Sequence, residues 1–210
     1  GACALSPPLK PAADIVALEA TLEEKRLLVE EALHRLVAPS QALAVDAAVQ
    51  DSLFAPAKRL RPILSLLVAE ILRGDVASVL PAACAVEMVH TASLILDDLP
   101  SMDDAKARRG RPACHLRHGE ATAILAAFAL LNSAYEILAG GWAGAPDATT
   151  RAGIARDLAR AVGCDGMIAG QAMDLAMTDK AIDFSTLEFI HSRKTGMLFM
   201  AAAAVGAAAA

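Results

Sequence analysis

Aromatic side chains are scarce in this 210-residue sequence, at 3% of the chain, although 56% of its residues are hydrophobic. Alanine and leucine make up most of that fraction, and both are strong helix formers and weak strand formers. This composition therefore favours an all-α fold. At this length we expect one all-α domain spanning residues 1–210.

Closely spaced cysteine pairs are also absent. The sequence has four cysteines: Cys3, Cys84, Cys114 and Cys164. Without CxxC spacing they support neither a zinc site nor a disulfide framework, which favours a reducing compartment and a cytoplasmic location.

Basic residues are also few: acidic residues outnumber them 24 to 19, which gives a net charge of −5. That balance argues against a nucleic-acid partner, since such proteins need a basic surface.

Long apolar runs are missing too. The longest uncharged apolar run, Met197 to Ala210, is shorter than the ~20 residues that cross a bilayer, so no transmembrane segment is expected. Residues 1–11 contain three prolines and resemble neither a secretory signal nor a transit peptide. They are interpreted as a flexible lead-in.

Hydrophobic periodicity and Pro/Gly positions predict seven helices, separated by an irregular segment from Leu99 to Gly119. The predicted ranges are Ala12–Val37, Leu43–Leu53, Arg61–Arg73, Pro81–Leu96, Ala121–Leu138, Ala148–Leu175 and Thr186 to the end. The third and fourth are apolar on most sides and are expected at the centre of the bundle.

Four carboxylates occur within the eight residues 97–104, directly after an apolar helix. Like charges beside an apolar wall repel one another and lose hydration unless a cation neutralises them. All-oxygen ligands favour Mg²⁺, which takes one or two carboxylates per ion and fills its shell with water and phosphate oxygens. Arg108 and Arg109 then fit as phosphate-binding forks. A solvated acidic loop is the alternative interpretation.

The spacing of these carboxylates requires a break in the helix. At ~100° per residue, a continuous helix would point Asp97 and Asp103 about 120° apart. Pro100 is expected to interrupt the turn and to bring Asp97 and Asp103 to the same side, with Asp98 and Asp104 in supporting positions.

A second anion site is suggested by Lys58 and Arg61, which are three residues apart at a predicted helix start. A basic pair extending to solvent at a helix end is the alternative. His90 lies two turns before Asp97 on the same face, so it should point into the same cavity. Glu87 shares this face and is expected to be a structural partner of His90.

Polar residues also interrupt the later apolar helices. Gln171 and Asp174 are three apart on one helix face, and Lys194 with Thr195 precedes Gly196. Because buried polar groups need partners, structural hydrogen bonds account for them as well as a functional role does.

In this order the motifs resemble those of the trans-isoprenyl diphosphate synthases, the head-to-tail prenyltransferases. The matching segments are AKRLRP at 57–62, HTASLILDDLPSMDDAKARRGRPACH at 90–115, HGEATAILA at 118–126, GQAMDL at 170–175 and KTG at 194–196. Similarity is greatest to bacterial geranylgeranyl diphosphate synthases of carotenoid pathways, whose first aspartate motif carries the same two-residue insertion, here Pro100-Ser101. The resemblance implies an isoprenoid-synthase-type helical bundle around a central cavity.

The resemblance also implies roles for matched residues. The residues implied to hold Mg²⁺ on the allylic diphosphate are Asp97, Asp98 and Asp103, with Arg108 beside them. Those implied to bind isopentenyl diphosphate are Lys58, Arg61, His90 and Arg109. Those implied to line the reaction centre are Lys194, Thr195 and Gln171. The implied reaction joins isopentenyl diphosphate to dimethylallyl, geranyl or farnesyl diphosphate, in a homodimeric enzyme.

Product length in this family depends on side chains that line a tunnel below the first aspartate. Ala92 and Ser93 are both small at this position. They lead us to predict geranylgeranyl diphosphate, with farnesyl diphosphate synthase as the alternative activity.

One family feature is absent, because the sequence has no aspartate after Asp183 and so lacks a second aspartate-rich motif. We expect the chain to be incomplete at its C-terminus and inactive by itself if that motif is indispensable. Two alternatives remain open. One is a non-catalytic partner subunit of a prenyl diphosphate synthase, and the other is a helical Mg²⁺-binding protein with no prenyl substrate.

Overall fold

The computed structural model describes residues 11–210, with side chains from residue 14 onward. The expected flexible lead-in, residues 1–11, therefore lies outside the described residues apart from Pro11, where the first helix begins. The described helices before the acidic segment are α1 (Pro11–Leu36), α2 (Leu43–Leu53), α3 (Leu60–Ile71) and α4 (Val76–Asp97). The predicted bounds of α2 are confirmed.

The segment after α4 contains a short antiparallel hairpin, β1 (Ala107–Arg108) and β2 (Arg111–Pro112). Helices then follow to the end of the chain: α5 (Cys114–His118), α6 (Glu120–Gly140), α7 (Ala148–Val162), α8 (Met167–Ala176), α9 (Phe184–His191) and α10 (Met197–Ala209). A π-helical turn, Ser192–Gly196, joins α9 to α10. The prediction of an all-α fold is confirmed.

Helix α4 forms the centre of the bundle and packs against α1, α3, α6 and α10. Its sequence is apolar on most sides, which is typical of a helix in the interior, and most of its residues are buried. It begins five residues earlier than predicted, because Asp75 caps it by accepting a hydrogen bond from the Ala77 N–H at 3.2 Å. Pro81 lies inside the helix rather than at its start.

By length and composition alone, α4 and α6 are the two described helices that could cross a membrane. Core helices of folded proteins meet the same criterion, and α4 is 72% buried within its most apolar window. The two helices pack directly against each other, and burial in the core accounts for the apolar character of α4, whereas only 33% of the corresponding window of α6 is buried.

The predicted single helix from Ala148 to Leu175 is wrong. The chain breaks between α7 and α8, where the Gly166 N–H donates to the Gly163 carbonyl at 2.8 Å. A Cβ on Gly166 would lie 2.2 Å from the Ala161 carbonyl oxygen, so only glycine fits this close approach. The break lets α8 pack against the π turn and α9, which positions the side chains described below.

Candidate active site

The acidic segment reverses direction immediately after α4. The Asp103 N–H donates to the Asp97 carbonyl at 2.9 Å, and the Asp104 N–H donates to the Leu99 carbonyl at 3.0 Å. These bonds fold the six residues after the helix back over its last turn. Asp97 and Asp103 therefore lie side by side, as the helix break at Pro100 predicted.

A single ammonium group lies among three carboxylates at this point, which we call the acidic pole. Lys194 Nζ lies 2.7 Å from Asp174, 3.4 Å from Asp97 and 3.7 Å from Asp103. Burial opposes the charge on Lys194, but the hydrogen bond to Asp174 and the two other carboxylates outweigh it and raise its pKa. The pKa of Asp103 is raised by burial and by the neighbouring charge of Asp97. The carboxylates thus carry more negative charge than one lysine balances.

The acidic pole fits Mg²⁺ as a two-carboxylate site. Asp97 Oδ1 is buried and accepts no hydrogen bond, and its ion pair with Lys194 Nζ is long at 3.4 Å, so this oxygen is the one that a metal cation would bind in place of the ammonium group. In the range 11–210, no group of three or more His, Cys, Asp or Glu side chains is arranged to hold a metal. Asp97 and Asp103 alone suffice for an ion that completes its shell with water and phosphate oxygens.

The structure does not bring Asp98 to this pole. Asp98 is 2% exposed, and Arg108 Nε donates to both of its carboxylate oxygens at 3.1 Å. Asp98 and Arg108 line a second, smaller cavity, whereas Asp97 lines the main one. In this structure Asp98 is therefore the ion-pair partner of Arg108 and does not line the main cavity. The hydrogen bond to Asp98, together with the charges of Asp97 and Asp103, raises the pKa of Arg108.

The β1–β2 hairpin fixes the position of Arg109. Arg109 and Gly110 form the two-residue turn, with φ values of 54° and 75°. Positive φ at both positions is typical of a tight hairpin turn, and glycine adopts it freely whereas arginine is strained. Burial lowers the pKa of Arg109, and the charge of Glu87 opposes this. Arg109 lines the smaller cavity with Arg108.

A cationic pole, formed by Arg61 and His90, also lines the main cavity. Arg61 Nη1 donates to His90 Nε2 at 3.1 Å, and its guanidinium carbon lies 4.2 Å from the centre of the Phe199 ring. Burial, followed by the charges of Arg61 and Arg109, lowers the pKa of His90 to about 3. The imidazole is therefore neutral, while Arg61 Nε is buried without a partner and is available to an anion.

Two predictions about this pole are wrong in detail. Helix α3 begins at Leu60, so Lys58 lies before the helix, exposed to solvent, instead of sharing a helix face with Arg61. Glu87 is not the partner of His90, because it accepts a hydrogen bond from Arg59 at 2.8 Å.

The two poles line one apolar cavity of about 400 Å³. Gln171, Lys194 and Thr195 line it, and neither amide atom of Gln171 has a hydrogen-bond partner. Its apolar walls are formed by Val89, Leu94, Leu96, Met102, Leu131, Val162, Met167, Ile168, Ala172, Leu175 and Leu198. Ser93 lines this cavity, whereas Ala92 is fully buried in the core and does not.

The π turn and α8 hold Lys194 in place through a close backbone contact. A Cβ on Gly170 would lie 2.3 Å from the Lys194 backbone nitrogen. The GQAMDL and KTG segments therefore meet where Gly170 allows the two backbones to touch.

Two further residues take part in these contacts: Phe199, for which the sequence predicted no role, and Asp174, for which it predicted a structural hydrogen bond or a functional role without naming a partner. Phe199 stacks on Arg61, and no local pattern marked it, because the contact joins α3 to α10. Asp174 binds Lys194, and its three-residue spacing from Gln171 was the available signal.

Comparisons with known proteins agree with this geometry. Residues 44–210 match the family model "Polyprenyl synthetase". Geranylgeranyl pyrophosphate synthase 7, chloroplastic, of Arabidopsis thaliana is 43% identical over 182 residues, which is 85% of this chain and 52% of that protein. The heterodimeric geranylgeranyl pyrophosphate synthase large subunit 1, chloroplastic, of the same plant is 41% identical over 189 residues, 87% of this chain and 50% of that protein.

Solved structures show the same fold. A geranyltransferase from Legionella pneumophila superimposes with a TM-score of 0.86 at 34% identity, covering 91% of this chain and 68% of that one. An FPP/GFPP synthase from Zymomonas mobilis gives a TM-score of 0.84 at 30% identity, covering 92% and 71%. The chain spans about half the length of the curated relatives it matches. With its all-α bundle around an apolar cavity, this chain belongs to the polyprenyl synthetase family, in which its curated relatives are geranylgeranyl pyrophosphate synthases.

Proposed function

We propose that the protein is a Mg²⁺-dependent prenyltransferase that condenses isopentenyl diphosphate with an allylic diphosphate to give geranylgeranyl diphosphate and diphosphate. The observation that carries the proposal is the apolar cavity of about 400 Å³ with an acidic and a cationic pole at its wall. Such a cavity suits two substrates that each pair an anionic head with a hydrocarbon tail. The names of the curated relatives support it.

The acidic pole would hold the allylic diphosphate. Mg²⁺ held by Asp97 and Asp103 would supply charge to stabilise the departing diphosphate. Lys194 lies within 4 Å of both carboxylates, so it can shift to a diphosphate oxygen once a divalent cation neutralises them. Gln171 and Thr195, neutral dipoles on the cavity wall, would stabilise positive charge on the allylic carbon without reacting with it.

The cationic pole would hold isopentenyl diphosphate through Arg61, with Lys58 and Arg109 closing on the same anion. Fixed placement of both substrates removes much of the entropic barrier to their reaction. The allylic C–O bond breaks, the isopentenyl double bond attacks the resulting cation, and the lost proton passes to the departing diphosphate. Neutral His90 would orient Arg61 by accepting its hydrogen bond.

The length of the product would be set by the cavity below Asp97. Ser93 lies on that wall one turn before Asp97, and its small side chain leaves the cavity open. This supports a geranylgeranyl product over a farnesyl one. Because one similar structure is of an FPP/GFPP synthase from Zymomonas mobilis, farnesyl diphosphate synthase is the second candidate.

We also propose that the protein functions as a homodimer. Leu125 and Phe128 on α6 are 55% and 64% exposed and lie three residues apart on one side of the helix. Large apolar side chains in this arrangement are typical of an interface. The name of one relative, a heterodimeric large subunit, supports an alternative in which the chain pairs with a different prenyl synthase subunit.

The test is to incubate the purified chain with Mg²⁺, labelled isopentenyl diphosphate and an allylic starter, and to chromatograph the dephosphorylated alcohols. Geranylgeraniol supports the proposal. Activity only after a second prenyl synthase subunit is added would support the partner-subunit alternative. Elongation by an Asp97→Ala variant at more than a tenth of the unchanged rate would contradict the role of Asp97, because losing one such stabiliser costs ~10²–10³ in rate.

A further inference from the structure

Arg59 is a buried cation between two side chains of the proposed isopentenyl diphosphate site, Lys58 and Arg61. Its side chain has no solvent exposure, whereas Lys58 is exposed and Arg61 half-buried. Its backbone has a φ of 52°, in the left-handed region. An arginine here costs of order 1 kcal/mol and persists only where its surroundings enforce it.

Three elements hold the Arg59 side chain. Nε donates to Glu30 Oε1 on α1 at 2.8 Å, and Nη2 donates to Glu30 Oε2 at 3.2 Å. Nη1 donates to Glu87 Oε1 on α4 at 2.8 Å. Nη2 also donates to the Leu53 carbonyl at the end of α2. The turn from α2 into α3 is thus fixed to α1 and α4 through one guanidinium group.

Glu87 connects this network to the cationic pole. It is 1% exposed and lies one turn before His90 on α4. Burial raises its pKa, and the charges of Arg59, Arg109 and Arg61 oppose this. The same carboxylate that anchors Arg59 therefore lies in the field of both arginines proposed to bind the diphosphate.

We propose that Arg59 is a positioning residue for isopentenyl diphosphate binding: its bonds to Glu30, Glu87 and Leu53 hold the 58–61 turn so that Lys58 and Arg61 reach one diphosphate. This inference rests on the proposed function. Arg59 itself does not contact the substrate. Its effect passes through the backbone that Arg59 shares with the two binding residues.

Two variants separate positioning from charge. Arg59→Lys keeps the positive charge but cannot reproduce the planar fork that spans Glu30, Glu87 and Leu53. Glu30→Gln removes a negative charge near the site, so electrostatics alone would strengthen binding of an anion, whereas loosening Arg59 would weaken it. The sign of the change for Glu30→Gln therefore distinguishes the two explanations.

The matched control is Lys25, a buried cation on α1 that pairs with the partly exposed Glu70 on α3. Lys25 is 4% exposed and bonds to Glu70, at the opposite end of α3 from Arg61. Lys25→Met should lower stability without altering the diphosphate site.

The experiment is calorimetric titration of the unchanged chain and the three variants with isopentenyl diphosphate, which reports both the dissociation constant and the fraction of competent protein. For Arg59→Lys and Glu30→Gln we expect a dissociation constant raised about tenfold, the lower end of what losing a supporting side chain costs at metal sites. Lys25→Met should have the same dissociation constant as the unchanged chain, and only its fraction of binding-competent protein should fall.

An unchanged dissociation constant in Arg59→Lys, or tighter binding by Glu30→Gln, would overturn the positioning role while leaving the proposed function intact. The same shift in Lys25→Met would also overturn it, because the effect would then be one of general stability. No binding by the unchanged chain would overturn the proposed function, and this inference with it.

Discussion

His90 should make the stability of the protein depend on pH in a way that one substitution removes. Burial and the charges of Arg61, Arg109 and Arg108 lower its pKa to about 3 in the folded chain, against about 6.5 for an unfolded histidine. Between these values the unfolded chain binds more protons than the folded one. The stabilising contribution is therefore complete above pH 6.5 and is lost as the pH falls toward 3.

The size of the effect follows from the two pKa values. Each pH unit inside the window costs at most ~1.4 kcal/mol of unfolding free energy, and the change from pH 7 to pH 5 sums to ~2 kcal/mol. His90→Gln should remove this increment, because glutamine does not titrate and its amide oxygen can still accept the Arg61 hydrogen bond. The measurement is urea unfolding followed by far-UV circular dichroism at both pH values.

The matched control is His191→Gln, since His191 is exposed at the end of α9 and should leave the pH dependence of the unchanged chain intact. If His90→Gln and the unchanged chain lose the same unfolding free energy between pH 7 and pH 5, the neutral state of His90 and its pairing with Arg61 are refuted.

Two further substitutions test the cavity. Ser93 lines the cavity and Ala92 does not. Ser93→Phe should therefore shorten the products to farnesyl length or less, and unchanged products would contradict the assignment of Ser93. Ala92→Phe should instead overpack the core and lower the unfolding free energy by about 1–3 kcal/mol. Gly170→Ala should push the Lys194 backbone away, since its Cβ would lie 2.3 Å from that nitrogen. Calorimetry of Gly170→Ala should show weaker Mg²⁺-dependent binding of geranyl diphosphate. The control is Gly153→Ala, whose added Cβ would meet only the tip of Arg156 and which should bind geranyl diphosphate as the unchanged chain does.

Local chemistry was enough to predict most helices, because alanine- and leucine-rich runs bounded by proline and glycine leave few alternatives. It failed at helix boundaries that one specific contact decides. The break between α7 and α8 depends on Gly166 approaching the Ala161 carbonyl, and the early start of α4 depends on the Asp75 cap.

In the candidate site, too, some features could be predicted from the local sequence and others could not. Asp97 and Asp103 could be placed together, because Pro100 had to end the helix. The orientation of Asp98 could not, since neighbouring residues at a helix end point ~100° apart and Arg108 reaches Asp98 only after the hairpin has formed. The anchoring of Arg59 by Glu30 and Glu87 joins segments 28 and 29 residues away, which no local pattern reveals.

The central claim is that one cavity has two chemically different diphosphate sites, and the Mg²⁺ dependence of binding tests it most directly. Geranyl diphosphate and isopentenyl diphosphate should each be titrated into the chain with Mg²⁺ and with a chelator. Isopentenyl diphosphate should bind under both conditions, because Arg61 and its neighbours supply the charge. Geranyl diphosphate should bind only with Mg²⁺, because three carboxylates surround Lys194. Equal binding of geranyl diphosphate with and without Mg²⁺ would contradict the account.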